Sequence, residues 1–211
     1  MISKTQNPWL QIPADDYEGH MSAPNVAQLQ MLNKIFADVV NEYQPKSVEV
    51  LGCTTGNGFE HLINKNIERI VGVDINPDYI SICKRRFEKK LPQLELVCAD
   101  LNEVEFSNSS FSLIHAALVF EYVKVELLLS KISRWLKPEG ILSVILQLPS
   151  DTSTPISETN YQSLKQLNSI LNLIDPEDFS TTAIKKGLKE IQNYKIKLQS
   201  GKSFLILLLQ K

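Results

Sequence analysis

With 211 residues, 43% hydrophobic and 22% charged, the chain can bury one sizeable core and has the make-up of a globular domain. A formal net charge of −2 gives no overall electrostatic case for nucleic acid or acidic lipid. The three scattered cysteines, Cys53, Cys83 and Cys98, form neither a disulfide framework nor a zinc site and fit a reducing compartment.

Along the chain, the first twelve residues lack the basic-then-apolar pattern of a secretory leader, and no apolar run approaches the ~20 residues of a membrane span, so a cytoplasmic protein is expected. From Val26 to Tyr43 apolar residues recur at helical spacing, and Pro45 ends the run. Ser47 to Leu51 reads as a first strand, followed by the glycine-bearing loop Gly52-Cys53-Thr54-Thr55-Gly56-Asn57-Gly58 and a helix opening at Phe59. Arg69 to Asp74 is a second strand, with Pro77 in the first turn of a helix toward Lys90. The basic cluster on that helix, Lys84-Arg85-Arg86 with Lys89-Lys90, reads as a solvated face. Leu94 to Cys98 and Phe111 to Ala117 are the third and fourth strands, a helix runs from about Glu121 to Leu136, and Ile141 to Leu148 is the fifth strand after the turn 137–140.

Nearly continuous apolar strands alternating with helices indicate a parallel sheet covered on both faces. The last two strands, Glu190 to Gln199 and Lys202 to Gln210, are joined so tightly that they must be antiparallel. The expected architecture is a single α/β domain, a doubly wound, mostly parallel seven-stranded sheet with a C-terminal antiparallel hairpin. Its parts are an arm and helix (1–45), a core (46–148), a lid-like region (149–188) and the hairpin (189–211).

Ligands in such sheets lie beyond the carboxyl ends of the strands. Glycines 52, 56 and 58 would let backbone approach a ligand closely, although the same residues also make a plain strand-to-helix turn. Asp74, about 20 positions beyond that loop, suits two ribose hydroxyls; its alternative role is to cap the next helix, which Asn76 or Asp78 can also do. Asp100, ending strand three, can accept from a purine amine or cap its own turn.

Gly52 to Gly58, Val71-Gly72-Val73-Asp74, Cys98-Ala99-Asp100 and Leu136-Lys137-Pro138-Glu139-Gly140 occur in the order that resembles class I S-adenosylmethionine-dependent methyltransferases, over roughly Ser47 to Leu148. The resemblance implies a Rossmann-like methyltransferase fold and S-adenosyl-L-methionine as cofactor. It places Gly52, Cys53 and Gly56 along the methionine moiety, Asp74 on the ribose and Asp100 with Leu101 at the adenine, with Thr54 and Ile75 as further cofactor-binding residues. The chain departs from the family twice. Thr54 stands where a third glycine is usual, and Val50 where a first-strand carboxylate is usual. Glu49 is one position earlier, and strand alternation turns it to the other face unless the strand bulges.

Four residues are candidates for the acceptor side. Glu121 and Tyr122 follow strand four, where small-molecule members of the family face the methyl donor; their plainer roles are a capping carboxylate and a packed ring. Tyr17 and His20 belong to an N-terminal arm placed to fold over the cofactor, with His20 a candidate base. His115 reads as a satisfied core histidine and His61 as a surface one. The expected activity is methyl transfer to a small-molecule acceptor, without metal, nucleic acid or membrane partners. A non-catalytic cofactor-binding protein is the alternative, and a nicotinamide-dependent oxidoreductase a weaker one, since its G-x-G-x-x-G is replaced by G-x-x-x-G-x-G with Thr54 at the middle position.

Overall fold

The computed structural model describes residues 7–150 and 154–211. One sheet carries seven strands, β1 (Ser47–Leu51), β2 (Arg69–Asp74), β3 (Leu94–Cys98), β4 (Phe111–Ala117), β5 (Leu136–Gln147), β6 (Lys189–Lys197) and β7 (Ser203–Gln210). Their order is β3-β2-β1-β4-β5-β7-β6. Strands β1 to β5 pair in parallel, whereas β7 runs antiparallel to both of its neighbours. The chain reverses direction across the sheet at β1, so the carboxyl ends of β1 and β4 flank the switch point where such sheets bind ligands.

The alternation of side chains along the strands explains why helices cover both faces. In β7, Phe204, Ile206 and Leu208 join Val48, Val50 and Ile70 beneath helices α1 (Ala14–Ser22), α2 (Gln28–Tyr43) and α3 (Pro77–Phe87). Leu205, Leu207 and Leu209 join Leu51, Val71 and Ile114 beneath α4 (Val125–Trp135) and α5 (Pro176–Lys185). A sheet apolar on both sides must be buried on both sides, which is the doubly wound solution. Helix α2 presents Leu32, Ile35, Phe36, Val39 and Val40 inward, and it ends at Gln44, whose left-handed φ of +43° and N–H to Val40 O (3.1 Å) close the last turn before Pro45. The hairpin closes through Leu198 N to Lys202 O at 2.9 Å, and the edge strand β6 carries Lys189, Lys195 and Lys197, charges that discourage pairing with another chain.

Several elements differ from the sequence reading. The helix expected at Phe59 is only a short 3₁₀ turn, Phe59–Leu62, and α4 begins at Val125 after a second such turn, Phe120–Tyr122. Strand β5 starts at Leu136 rather than Ile141, because 136–140 continues pairing across a register shift opposite Phe111 and Leu113. The N-terminal arm is helical: α1 buries Tyr17, His20 and Met21, and its first turn carries Asp15 and Asp16, the favoured charge at that end. Among the described residues, the region between β5 and α5 holds one 3₁₀ segment, Gln162–Ser169, and part of the expected lid, 151–153, lies outside the described residues.

Candidate active site

At the carboxyl edge of the sheet lies a cleft with a cavity volume of about 150 Å³. Its floor follows the strand ends: Gly52 and Thr54 after β1, Asp74 and Ile75 at the end of β2, Asp100 and Leu101 after β3, and Ala117 to Val119 after β4. Its roof is the N-terminal segment, Trp9 with Tyr17, His20 and Met21 of α1. Beyond β5 the wall passes to Gln147, Ile156, Leu164, Leu167, Leu171 and Lys202.

Gly52 sits at φ +65°, and a Cβ there would come within 2.9 Å of Val119 Cγ2, so only glycine keeps this corner open. Gly56 has a different job. It is not on the cleft wall; a Cβ there would meet the Phe87 ring at 2.6 Å and Cys83 Sγ at 3.0 Å, so it lets α3 pack onto the loop. Cys53 is also turned away, its thiol in the core beneath α1 to α3. Thr54 has a φ of +47°, rare for a β-branched residue, and thus holds a glycine-like backbone at the position where the resemblance expects glycine.

Asp74 is 6% exposed and held by two backbone donors: Thr54 N–H gives to Oδ2 at 2.9 Å and Asn76 N–H to Oδ1 at 2.8 Å. The helix-capping role falls to Asn76, whose Oδ1 accepts from Asp78 N–H at 2.9 Å, so Asp74 is not needed for it. Each Asp74 oxygen keeps one further acceptor position. Burial pushes its pKa up to about 6, against the pull of the Asn76, Thr54 and Ile75 amides. Asp100 does cap its turn, with Oδ1 accepting from the Asn102 amide at 2.8 Å and the Asn102 side chain at 2.9 Å.

All four acceptor-side candidates border the same cleft. Glu121 Oε1 accepts from the Gln147 amide at 2.8 Å, its Oε2 is buried without a partner among the described residues, and burial lifts its pKa to about 7. His20 Nδ1 lies 2.8 Å from Thr159 Oγ1; burial, then the charge of Lys202, brings its pKa down to about 4, so the ring is neutral near pH 7. The Tyr17 phenol is pushed up to about 12, chiefly by burial. Tyr122 packs edge-on against Trp9 with ring centroids 5.2 Å apart, and burial likewise raises its pKa. His115 is a core residue bonded to Ser143 Oγ at 3.0 Å, and His61 lies 2.8 Å from Asn33 Oδ1, away from the cleft. Glu49 lies on the opposite face from Val48 and Val50, in an unbroken β1 register, and takes no part in the cleft.

Sequence reasoning missed Trp9, Gln147 and Lys202. A tryptophan in a polar N-terminal segment was a usable signal. Lys202, one residue past the turn glycine, looks like any solvated turn lysine, and only tertiary packing buries it.

Residues 50–144 match the family model of a methyltransferase domain. The chain carries a methyltransferase domain. No curated protein sequence matches the chain, but solved structures share its fold. A putative sarcosine dimethylglycine methyltransferase from Galdieria sulphuraria aligns with a TM-score of 0.68 at 11% identity, over 86% of each chain. The N-methyltransferase NodS from Bradyrhizobium japonicum aligns at 0.65 and 14% identity, over 90% of this chain and 98% of its own. The [4+2]-cyclase SpnF aligns at 0.66 and 13% identity, over 85% and 81%. At these identities the likeness is one of fold, and a cyclase among the neighbours shows that the fold alone does not choose the reaction. The methyltransferase domain implies S-adenosyl-L-methionine as cofactor. The site fits it: a corner that a Cβ would fill at Gly52, and a buried carboxylate with acceptor capacity to spare at Asp74. Among the described residues, no helix is long and apolar enough to cross a membrane.

Proposed function

We propose that this enzyme methylates a small molecule in the cytoplasm, with the methyl donor lying along the strand ends from β3 to β4. The observation that carries the reading is Asp74: a buried carboxylate, fixed by the Thr54 and Asn76 amides, with one acceptor position left on each oxygen for a pair of ribose hydroxyls. Gly52 and Thr54 would then border the methionine part, Ile75 the ribose, and Asp100 with Leu101 the adenine, while Cys53 and Gly56 support the loop from behind. The cleft beneath Trp9 and Tyr17 suits a small acceptor, and free Cys53, Cys83 and Cys98 suit a reducing cytoplasm.

When bound, S-adenosylmethionine supplies an electrophilic methyl group on sulfur. The enzyme's task is to hold an acceptor in line, exclude water and accept the proton that an N–H or O–H acceptor releases. Trp9 and Tyr17 roof the cleft. Of the four acceptor-side candidates, Glu121 is best suited to the proton, since a carboxylate lifted to about 7 is half ionised near neutrality and its Oε2 has no other partner. His20, at about 4, serves better as a neutral hydrogen-bonding group.

Calorimetry with S-adenosylhomocysteine and with NAD tests the reading. Affinity of about micromolar order is expected for the first and none for the second. NAD binding without S-adenosylhomocysteine binding would return the cleft to an oxidoreductase. Transfer of a labelled methyl group to a panel of small amines, alcohols and acids tests the acceptor class. On any acceptor found, Glu121→Gln should cut turnover by about 10²-fold or more and leave S-adenosylhomocysteine affinity unchanged.

A further inference from the structure

Lys202 is an ammonium group buried to 2% exposure at the far end of the cleft. Its Nζ donates to the carbonyl oxygen of Pro155 at 2.6 Å, a neutral partner, and among the described residues no carboxylate lies within ion-pair distance of it. Gln147 Nε2 donates to the same oxygen at 3.0 Å, so this stretch of wall sets two donors side by side, with no carboxylate bonded to either among the described residues. Taking an ammonium out of water costs several kcal/mol unless an anion compensates it. The cost is visible in the group itself, whose pKa burial pushes down to about 8, still charged near neutrality. A lysine in a tight turn has an easy way out to solvent. Lys202 does not take it.

Its position matters. Between β2, which carries Asp74, and β7, which begins just after Lys202, the sheet order places β1, β4 and β5. Four strand spacings, roughly 19 Å of sheet, therefore separate the carboxylate from the ammonium along one continuous cleft. A ligand reaching from β3 to β4 leaves the stretch beyond β5 unfilled. Leu164, Leu167, Leu171 and Ile156 give that stretch an apolar wall.

We propose that the methyl acceptor is a monocarboxylate with an apolar body, its carboxylate held by Lys202 and Gln147 and its body against Leu164, Leu167 and Leu171. The inference rests on the reading of the cleft as a methyl-transfer site, because that reading puts the donor at the other end. One buried ammonium balances one negative charge. A phosphate dianion would exceed it and would need donors this wall lacks. Anchoring the acceptor at β7 leaves its opposite end to approach Glu121, on the turn after β4.

The test titrates S-adenosylhomocysteine-loaded protein with benzoate, phenylacetate and hexanoate and with the corresponding amides. At least one acid should bind tenfold or more tightly than its amide, and Lys202→Met should abolish that difference while leaving S-adenosylhomocysteine affinity unchanged. Equal binding of acids and amides, no binding of any acid, or the same preference in Lys202→Met overturns the proposal. Should Lys202→Met not fold, mass spectrometry of the wild-type protein under an amine-labelling reagent decides instead: the acids, and not the amides, should protect Lys202, and equal labelling overturns it. The S-adenosylhomocysteine titration of the wild-type enzyme stands apart from all of this, so a failure of the methyltransferase reading is told from a failure of the anion site.

Discussion

Thr54 gives its backbone N–H to the Asp74 carboxylate at 2.9 Å, and it does so from a φ of +47°. The loop conformation that aims this amide is one that glycine adopts freely and threonine does not. Strain is therefore held where the loop supports the buried acid. Thr54→Gly should relieve about 1–2 kcal/mol of left-handed strain and give back roughly 0.4–1 kcal/mol through a freer unfolded chain. The expected net is a modest gain in urea stability with S-adenosylhomocysteine affinity nearly unchanged. A loss of stability would show that the threonine side chain contributes more than its backbone costs.

With Asp74 in the ribose role proposed for it, cofactor binding should depend on pH. Burial raises its folded pKa to about 6, from an ordinary value of 3.8. In the free protein the carboxyl is protonated below about 6, whereas ribose hydroxyls donate best to the anion. S-adenosylhomocysteine affinity should therefore fall by up to about tenfold for each unit of pH below that value. Asp74→Asn should lose about 2–3 kcal/mol of binding at pH 8 and flatten the profile. The same shift runs the other way for stability: the carboxyl's contribution, full below about 4, is lost as pH rises through 6. Calorimetry from pH 5 to 8 reads both, and parallel profiles in wild type and variant would remove Asp74 from the ribose site.

The sheet was legible because its signals are local. Apolar runs in Val48 to Leu51 and in Phe204 to Leu209, the prolines Pro45, Pro77 and Pro138 at element breaks, and a five-residue hairpin connection leave few topologies open. The floor of the cleft was legible for the same reason, since Gly52, Asp74 and Asp100, which line it, sit at strand ends that the pattern marks. Glu49 also followed the alternation and turned away from the cleft. The far end of the cleft was not legible. Lys202 and Gln147 come from the hairpin and from the end of β5, 55 residues apart, and they meet only because β7 lies beside β5. The helical form of the arm also escaped, because α1 has weak apolar periodicity around Gly19 and is fixed by partners far along the chain, as Ser163 Oγ donating to Asp16 at 2.5 Å shows.

Another such partner is Arg86, which makes the third prediction. Its guanidinium on α3 forks onto the Glu18 carboxylate on α1, with Nη2 to Oε2 at 3.1 Å, and the Thr55 hydroxyl donates to the same carboxylate. The pair clamps the roof helix to the glycine loop, although it is too exposed to contribute much stability. Arg86→Ala should therefore change global stability by less than about 1 kcal/mol while speeding amide exchange across 14–22 and weakening S-adenosylhomocysteine binding by roughly two- to fivefold. Unaltered exchange in that helix would mean that apolar packing of Tyr17 and Met21 alone holds the roof.

The last prediction concerns Glu49, which is fully buried with neither carboxylate oxygen partnered among the described residues. It faces the α4 and α5 layer beside Val71 and Ile114, an apolar setting that lifts its pKa to about 8, with Arg69 only partly opposing. The folded protein therefore keeps this proton where the unfolded chain has released it, above an ordinary 4.5. Glu49 weighs little on stability below that value, and its cost grows as pH rises toward 8. Replacing it with leucine, of similar size and with no charge to bury, should stabilise the enzyme by on the order of 3 kcal/mol near pH 7.5 and by much less at pH 5. Urea unfolding of both proteins at pH 5, 6.5 and 8 isolates this group, because Asp74 and Glu121 contribute equally to each and cancel in the difference. A gain that stays constant across the three values would reflect packing alone. A loss of stability at pH 8 would show that the carboxylate has a partner in solution, and with it a role in the sheet that this arrangement does not give it.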